Sequence, residues 1–559
     1  MQLLEHFKEL TIRPKNAKEL KGLILQLAIQ GKLTANWRGE NPTVKLDNEK
    51  LTDISVKTLS FLTKESNSIN QLDVPSTWLK LKFKTLFEMQ GGSQPPKSMF
   101  SSTEKDGYIQ LYQIRDFGKR PVPVYVPKDS VSKLCSEEDV MIGRYGASIG
   151  KIFYGKNGAY NVALVRLIWN RELLEQSFVY QIFSSYYMQD FFQNCTRSAQ
   201  AGFNKTDMGR LNIPLPPLLE QKEIVKVVET LFKEVEELEQ LTVERISLKE
   251  DFVTSALNQL TTNNANQEWS FLKDHFKNFF NETRNIKKLR ETVLQLAVRG
   301  KLTADWRANN PDTEDASILL KRIQKNKAQL IADKKIKKEK LLPKITKDEI
   351  PYELPEGWVW CRMIELCQYI TDGTHQTPNY TEQGRMFLSA KNVKPFKFMP
   401  KKHRFVSEED FEGYRRNRKP ELNDILLTRV GAGIGEATLI DQDLEFAIYV
   451  SVGLLKMFPG SLEPNYIVMW LNSPEGRQYS SKNTYGKGVS QGNLNLSLIR
   501  KFVVSLPPIE EQKAIVQKVN ALMGLCDSLE QEVQESQEQI AQLMQSCLRE
   551  VFEGQKEVS

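Results

Sequence analysis

Residues 20–42 read LKGLILQLAIQGKLTANWRGENP, and residues 289–311 read LRETVLQLAVRGKLTADWRANNP. Fourteen of these 23 aligned positions are identical, where average residue usage would supply about one or two by chance. The chain is written twice. A second pair of markers agrees: residues 215–228 read LPPLLEQKEIVKVV and residues 506–519 read LPPIEEQKAIVQKV, with nine of 14 positions identical. The first pair is offset by 269 residues and the second by 291, so the second copy holds 22 extra residues between its markers. The basic stretch 321–347, KRIQKNKAQLIADKKIKKEKLLPKITK, is the place for most of them.

Between the markers the echoes are weaker. VPSTWLKLK after Asp73 answers LPEGWVWCR after Glu353, and DVMIGRYGASIGK from Asp139 answers DILLTRVGAGIGE from Asp424. Each copy therefore runs from a short helix through a linker and a mixed domain to a long helix. The boundaries fall at 1–71 (short helix and linker), 72–214 (first middle domain) and 215–262 (first long helix), then 263–350 (second short helix and basic insert), 351–505 (second middle domain) and 506–559 (second long helix).

After each LPP breaker the apolar residues fall at helical spacing. Ile224, Val228, Leu231, Val235 and Leu238 form one seam; Ile515, Val519, Leu522, Cys526, Leu529 and Val533, continued by Ile540, Leu543 and Cys547, form the other. Forty helical residues reach about 60 Å, and each seam is the other's natural mate in an antiparallel coiled coil. The alternative is core packing of each seam within its own domain. The middle domains mix strand-like runs (YNVALVRLIW, YVSVGLLKMF) with short helices. The fold class is α+β: two α/β-mixed domains separated by two long antiparallel coiled-coil helices, in a pseudo-twofold internal repeat.

Length and composition are those of a soluble protein of two or more packed units, with 559 residues, 40% hydrophobic and 26% charged. No apolar run reaches a membrane span, and MQLLEHFKEL is no secretory signal, so a cytoplasmic location is expected. Six scattered cysteines and four histidines fit neither a disulfide framework nor a zinc site. The net charge is +7, yet residues 218–256 and 510–552 each carry −5, which leaves +17 on the remainder. Such a surplus favours a polyanionic partner.

Catalytic signatures are missing. The turn at Val430, VGAGIGE, has Glu436 where a dinucleotide loop needs its third glycine; that at Tyr145, YGASIGK, lacks the first glycine of a phosphate loop and has Ile152 in place of Ser or Thr. Both read as tight turns. Pro311, Asp312, Asp333 and Lys335 can be forced onto a nuclease pattern, but Asp333 and Lys335 lie in a Lys-rich helical stretch. TPNY at Thr377 and EPNY at Glu463 are not amino-methyltransferase loops.

The doubled LQLAIQGKLTANWR and LQLAVRGKLTADWR, the doubled LPPLLEQ and LPPIEEQ, and the turns RYGASIG and RVGAGIG resemble the specificity subunit of type I restriction-modification systems over essentially the whole chain. The resemblance implies a non-catalytic subunit with two target recognition domains, each reading one half of a bipartite, asymmetric site in double-stranded DNA, with the helix pair setting the gap. It implies two methyltransferase subunits as partners and restriction subunits through them, and no cofactor on this chain: S-adenosylmethionine belongs to the methyltransferase subunit, ATP and Mg to the restriction subunit. Two unlike domains suit an asymmetric site, whereas identical ones would demand a palindrome. Two other readings are a related two-component system cutting on both sides of its site, which the neighbouring gene would discriminate, and a coiled-coil scaffold that binds only proteins.

For DNA contact the candidates start at the loop GGSQPPKS, with Gly91, Gly92, Ser93, Gln94 and Lys97, and its counterpart TDGTHQTP, with Gly373, Thr374, His375 and Gln376. Small residues there suit close backbone approach to a nucleic acid, against an ordinary surface turn. Arg144 and Arg429 precede the glycine turns at equivalent places, with Lys151 after the first; they read as phosphate or base contacts or as packed structural arginines. Tyr112, Gln113 and Arg115, then Lys391 and Asn392, follow the loops, and Lys205, Lys487 and Gln491 precede the closing strands. His375 reads as a hydrogen-bonding residue, not a general base. The insert 321–347 either touches DNA or a partner, or is a solvated amphipathic helix with Leu330, Ile331 and Leu341 packed inward.

Overall fold

The computed structural model describes residues 14–46, 72–196, 202–262, 266–416, 418–482, 484–485 and 492–553. They divide into two compact units, one running to Ser247 and taking in the end of the second long helix from Gln537, the other Leu248–Ser536.

In the first unit the repeat motif opens with the helix Pro14–Ile29, whose Leu20, Leu23, Ile24, Leu27 and Ala28 are buried. The helix is stopped by Gly31 at φ +67°, with Gly31 N–H donating to Ala28 O and Lys32 N–H to Leu27 O, both at 3.0 Å. This is a Schellman cap, which needs a residue at ease in the left-handed region. A Cβ here would also lie 2.6 Å from Pro75 Cγ. Beyond the cap, a buried carboxylate ties three distant segments together. Glu220, 1% exposed at the start of the long helix, accepts from Thr34 Oγ1 at 2.8 Å, from Arg38, and from Trp78 Nε1 at 2.8 Å. Next to it Gln221 donates to Leu173 O and Pro216 O and accepts from Glu175 N–H.

The second unit repeats the cap, the clamp and most of the glutamine's bonds. Gly300 (φ +70°) caps the helix Thr283–Val298 and would meet Pro355. Glu511, fully buried, accepts from Thr303 Oγ1 at 2.7 Å, from Arg307, and from Trp358 Nε1 at 2.8 Å. Gln512 donates to Pro507 O and accepts from Glu463 N–H. The identical letters of the two copies are thus a buried carboxylate, its three donors and a left-handed cap. A charge this deep is tolerated only when its hydrogen bonds are complete, which fixes all its partners together.

Each recognition domain hangs from a two-stranded stalk that pairs its first and last strands antiparallel: Leu79–Lys82 with Asn212–Leu215, and Val359–Arg362 with Val503–Leu506. Above the stalk lie two four-stranded sheets. One has the same order in both domains: Phe87–Gly91, Leu164–Trp169, Val140–Gly143, Ile152–Tyr154 in the first; Cys367–Asp372, Val452–Met457, Ile425–Thr428, Ala437–Leu439 in the second. The other sheet shares a parallel pair, Tyr108–Tyr112 with Gly158–Tyr160 and Arg385–Leu388 with Phe446–Ile448. Its outer strand differs: Leu134–Cys135 joins beside Gly158–Tyr160 in the first domain, whereas Tyr380–Thr381 joins the opposite edge in the second. The framework is common and the edges are not.

The long helices are Leu218–Thr262 and Ile509–Glu553, 45 residues each. Their seams divide the labour. Ile224, Val228 and Val235 are buried in the first recognition domain's own core, and Ile515 and Val519 in the second's, as the core-packing alternative supposed. Farther on in the second unit, Val253, Ala256, Leu257 and Leu260 of the first long helix share a cluster with Cys526, Leu529 and Val533 of the second and with Leu272, Phe280 and Ile286 of the segment between them. The residues that the first helix brings to this contact lie beyond the seam that ended at Leu238. The first long helix passes from the first unit to the second at Leu248, and the second long helix from the second unit to the first at Gln537. Ile540 and Leu543 are exposed, which corrects their place in the seam, and the Cys547 side chain lies outside the described residues.

Residues 321–332 of the basic insert form the later part of the helix Ala316–Ala332, which buries Ala316, Leu319 and Ile323 in the second unit. Its Lys327 donates to Ile364 O at 2.7 Å and Cys367 O at 2.8 Å. Leu330 packs against the core, but Leu341 is 88% exposed and Leu342 takes the inward place expected of it. One register step in a segment with little regular structure decides between them.

Candidate nucleic-acid interface

In the first domain the glycine loop, Tyr112 and Arg144 converge on the turn after Tyr160. Gly92 N–H donates to Leu164 O and Ser93 N–H to Tyr160 O at 3.1 Å; Asn161 N–H donates to Tyr112 O at 3.0 Å. A Cβ on Gly92 would fall on the carbonyl oxygens of Tyr160 and Asn161. The second domain repeats the crossing: Gly373 N–H donates to Val452 O, Thr374 N–H donates to Ile448 O at 3.0 Å, and a Cβ on Gly373 would fall on Ile448. Both glycines permit close approach of the protein's own strands, which corrects the idea that they are small for the sake of a nucleic acid.

The two arginines start alike and end differently. Arg144 N–H donates to Ala163 O and its Nε to Phe203 O at 3.4 Å; Arg429 N–H donates to Ser451 O and its Nε to Leu494 O at 2.9 Å. Each fastens the closing segment to the sheet. Arg429 is then locked by an ion pair with Asp372 and a bond to Val450 O, and is 5% exposed. Burial pushes its guanidinium down from the ordinary value while the Asp372 carboxylate opposes this. Arg429 is a packed structural arginine, and its reading as a DNA contact is corrected. The position of Asp372 is occupied in the first domain by Gly91, so Arg144 makes no ion pair among the described residues. It is half-buried, with its guanidinium 5.1 Å from the exposed ring of Tyr145.

The other candidates separate by exposure. Gln94, Lys97, Arg115, Lys151, Lys205, His375, Gln376 and Lys391 are exposed, although Lys205 lies 3.8 Å from Glu88 and His375 Nε2 3.1 Å from Asp372. Gly91, Ser93, Tyr112 and Gln113 are half-buried. Thr374 is buried and its hydroxyl accepts from Gln376 N–H, so it shapes the loop. Asn392 is also buried, with its amide donating to Met399 O and Lys402 O at 2.9 Å, and is corrected from a base contact to a brace. Lys487 and Gln491 lie outside the described residues.

The glycine turns that resemble nucleotide loops are filled by the chain itself. A Cβ on Gly150 would lie 2.6 Å from Phe192 Cβ, and one on Gly435 2.6 Å from Ser480 Cβ. They are helix-packing turns. Cys361 and Cys367 are buried thiols, the latter pushed up to about 12 by burial. Among the described residues no group of His, Cys, Asp and Glu is arranged to hold a metal, and no helix is long and apolar enough to cross a membrane.

Three contributors escaped the sequence reading. Arg418 donates to Gly373 O at 2.6 Å; the basic run RRNRK was its only signal. Asp372 neutralises Arg429 across 57 residues, which no local pattern reveals. The tight hairpin Val393–Lys394 with Lys397–Phe398 raises Phe396 into solvent, 46% exposed at φ +60°.

Comparison with known proteins bears on this geometry. The model of the type I restriction modification DNA specificity domain matches residues 75–246 and again 355–539. The specificity subunit of the type I restriction enzyme EcoAI of Escherichia coli is 30% identical over 57% of this chain and 54% of its own length. That of EcoEI, also of Escherichia coli, is 26% identical over 93% of this chain and 91% of its own. The crystal structure of the HsdS subunit from Thermoanaerobacter tengcongensis overlaps 86% of this chain and 98% of its own at 17% identity, with a TM-score of 0.41. Matched twice by one model, over well more than half of its residues and on the two domains that repeat each other in space, the chain belongs to the type I restriction modification DNA specificity family and is a DNA sequence-specificity subunit.

Proposed function

We propose that each recognition domain reads one half of a bipartite, asymmetric site in double-stranded DNA, while the paired long helices set the distance between the halves. The observation that carries this reading is a common frame bearing unlike surfaces. Carboxylate clamp, helix cap and stalk recur in both copies, whereas Gly91 stands where the second has Asp372, and an Arg144 with no ion pair among the described residues stands where it has the ion-paired Arg429. Two readers that differ beside their loops suit a site whose halves differ in sequence. Exposed Lys97, Arg115, Lys151 and Lys391, with Arg144, supply phosphate contacts that position the complex.

The chain itself makes and breaks no bond on this reading. Two methyltransferase subunits dock on it, restriction subunits join through them, and the assembly works in the cytoplasm. S-adenosylmethionine is held by the methyltransferase subunits, and ATP and Mg by the restriction subunits. The test is to map methylated bases genome-wide in cells carrying the system, before and after residues 72–214 are exchanged for the same domain of a relative. One bipartite motif is expected, of which the exchange alters only one half. A palindromic motif, or a change in both halves, would refute independent reading, and methyl transfer by the purified chain alone would refute the non-catalytic role.

A further inference from the structure

Both domains carry a protruding tip after a capped 3-10 turn. In the second domain the turn Ala390–Asn392 is closed by a capping box between Ser389 and Asn392. The chain then makes the hairpin Val393–Lys394/Lys397–Phe398, with Pro395 and Phe396 as its two turn residues. The residue after proline in such a turn takes positive φ, a place for glycine or asparagine. Here it is phenylalanine, at φ +60° and 46% exposed. A bulky residue in the left-handed region is strained, and an exposed ring gains little burial to offset that. Folding gives no reason for this residue, and a ligand does.

The surroundings identify the ligand's chemistry. From residue 391 to 404 there are six basic residues, Lys391, Lys394, Lys397, Lys401, Lys402 and Arg404, and no acidic one. Lys394 is 3.6 Å from Glu436 and Arg404 lies over Tyr380, but among the described residues Lys391, Lys397, Lys401 and Lys402 make no ion pair. The tip is also rigid: Phe396 N–H donates to Ala437 O at 3.1 Å, and the buried Asn392 amide holds Met399 O and Lys402 O. The first domain has the same device with a smaller point. After the turn Ile114–Phe117, boxed by Gln113 and Asp116, Val122 is 54% exposed between two prolines, beside exposed Lys119 and Arg120, its N–H fixed by Asp116 at 3.1 Å.

We propose that Phe396 is a wedge that the hairpin presses against the base stack of duplex DNA, while Lys391, Lys397, Lys401 and Lys402 hold the phosphates around it. This rests on the half-site reading above, and the two can fail separately. The test uses the full chain assembled with its methyltransferase subunits, carrying Phe396→Gly, Phe396→Ala or Phe396→Trp, on the duplex that methylation mapping defines, with 2-aminopurine at successive steps of one half-site. Phe396→Gly suits the left-handed backbone and should leave the melting temperature unchanged or higher. It should nevertheless weaken specific binding at least tenfold and abolish the 2-aminopurine signal; Phe396→Ala should match it in binding, and Phe396→Trp should retain both. Binding within twofold of wild type by Phe396→Gly, with the same signal, would overturn the wedge and leave the half-site reading intact. A wild-type complex that enriches no sequence would overturn both. Loss of sedimentation with phosphatidylserine vesicles in Phe396→Gly, with DNA binding unchanged, would assign the tip to an acidic lipid surface and overturn the wedge.

Discussion

Replacing Gly91 with aspartate should copy into the first domain the neutralisation that Asp372 imposes on Arg429. Gly91 lies opposite Val165 in its strand pair, its φ is outside the left-handed region, and a Cβ built on it meets a single atom within 4 Å, Arg144 Nη1 at 3.8 Å. A carboxylate there reaches the guanidinium without moving the backbone. Two unit charges about 4 Å apart attract by about 4 kcal/mol at an effective dielectric near 20. Since Arg144 is half-buried, solvent screening leaves about 1–2 kcal/mol that a phosphate would have to overcome. Specific and non-specific affinity should both fall by about five- to thirtyfold, and the slope of log K against log salt should become shallower by about one. Fluorescence anisotropy on a labelled duplex between 50 and 200 mM KCl measures both quantities. Gly91→Asn, of the same size and uncharged, should behave like wild type. If Gly91→Asp and Gly91→Asn bind alike and share one salt slope while both remain folded, Arg144 does not contact the phosphates.

Glu511→Ala would leave Arg307, Thr303 and Trp358 without their shared acceptor, and should lower the stability of the second unit by about 3 kcal/mol in calorimetry; a loss below about 1 kcal/mol would show that the clamp is incidental. Hydrogen bonding from Arg362 lowers the Glu349 carboxyl to about 2 from its ordinary 4.5, so its contribution is complete above the ordinary value and fades as pH falls from 4.5 towards 2. Because that pair is partly exposed, Glu349→Gln should flatten the acid limb of a melting-temperature titration by no more than about 1 kcal/mol. Adding seven residues to each long helix, about 10 Å, should widen the gap between half-sites by about three base pairs and leave the bases read at either end unchanged; methylation mapping would refute the spacer if those bases changed.

What the sequence made legible was whatever repeats. The doubled LQLA and LPP strings mark segments that a single buried carboxylate must draw together, so their letters cannot drift apart, and the stalk strands lie just inside them. The seam was legible as helical but not as shared: periodicity shows that Val228 and Val519 are buried, and cannot show that each faces its own domain. The candidate site was harder to read for the same reason. Arg429 and Arg144 look identical in sequence, and their difference lies in residue 372 or 91, joined to them only by the sheet. Nothing in the sequence singled out Phe396, because the sign of one backbone angle is not written in composition.

The division between frame and reader has a physical basis. The clamp glutamates are 0–1% exposed and bond to the repeat motif and the tryptophan before the stalk, not to the loops of the candidate interface, so the energy they supply does not depend on what those loops carry. Exposed positions such as Val122, Lys391 and Phe396 satisfy no buried group with their side chains, so changing them leaves no orphaned donor or acceptor behind. The intermediate class couples the two: Asp372, Arg429, Thr374 and Asn392 are buried polar groups that brace the reading loops, and Asp372 and Arg429 can change only together, whereas Thr374 and Asn392 bond to backbone groups. Half-site sequence should therefore change cheaply through the exposed class and in correlated pairs through the braces, while the clamp stays fixed. That ordering explains how two copies of one duplicated unit could come to present unlike surfaces without either losing its fold.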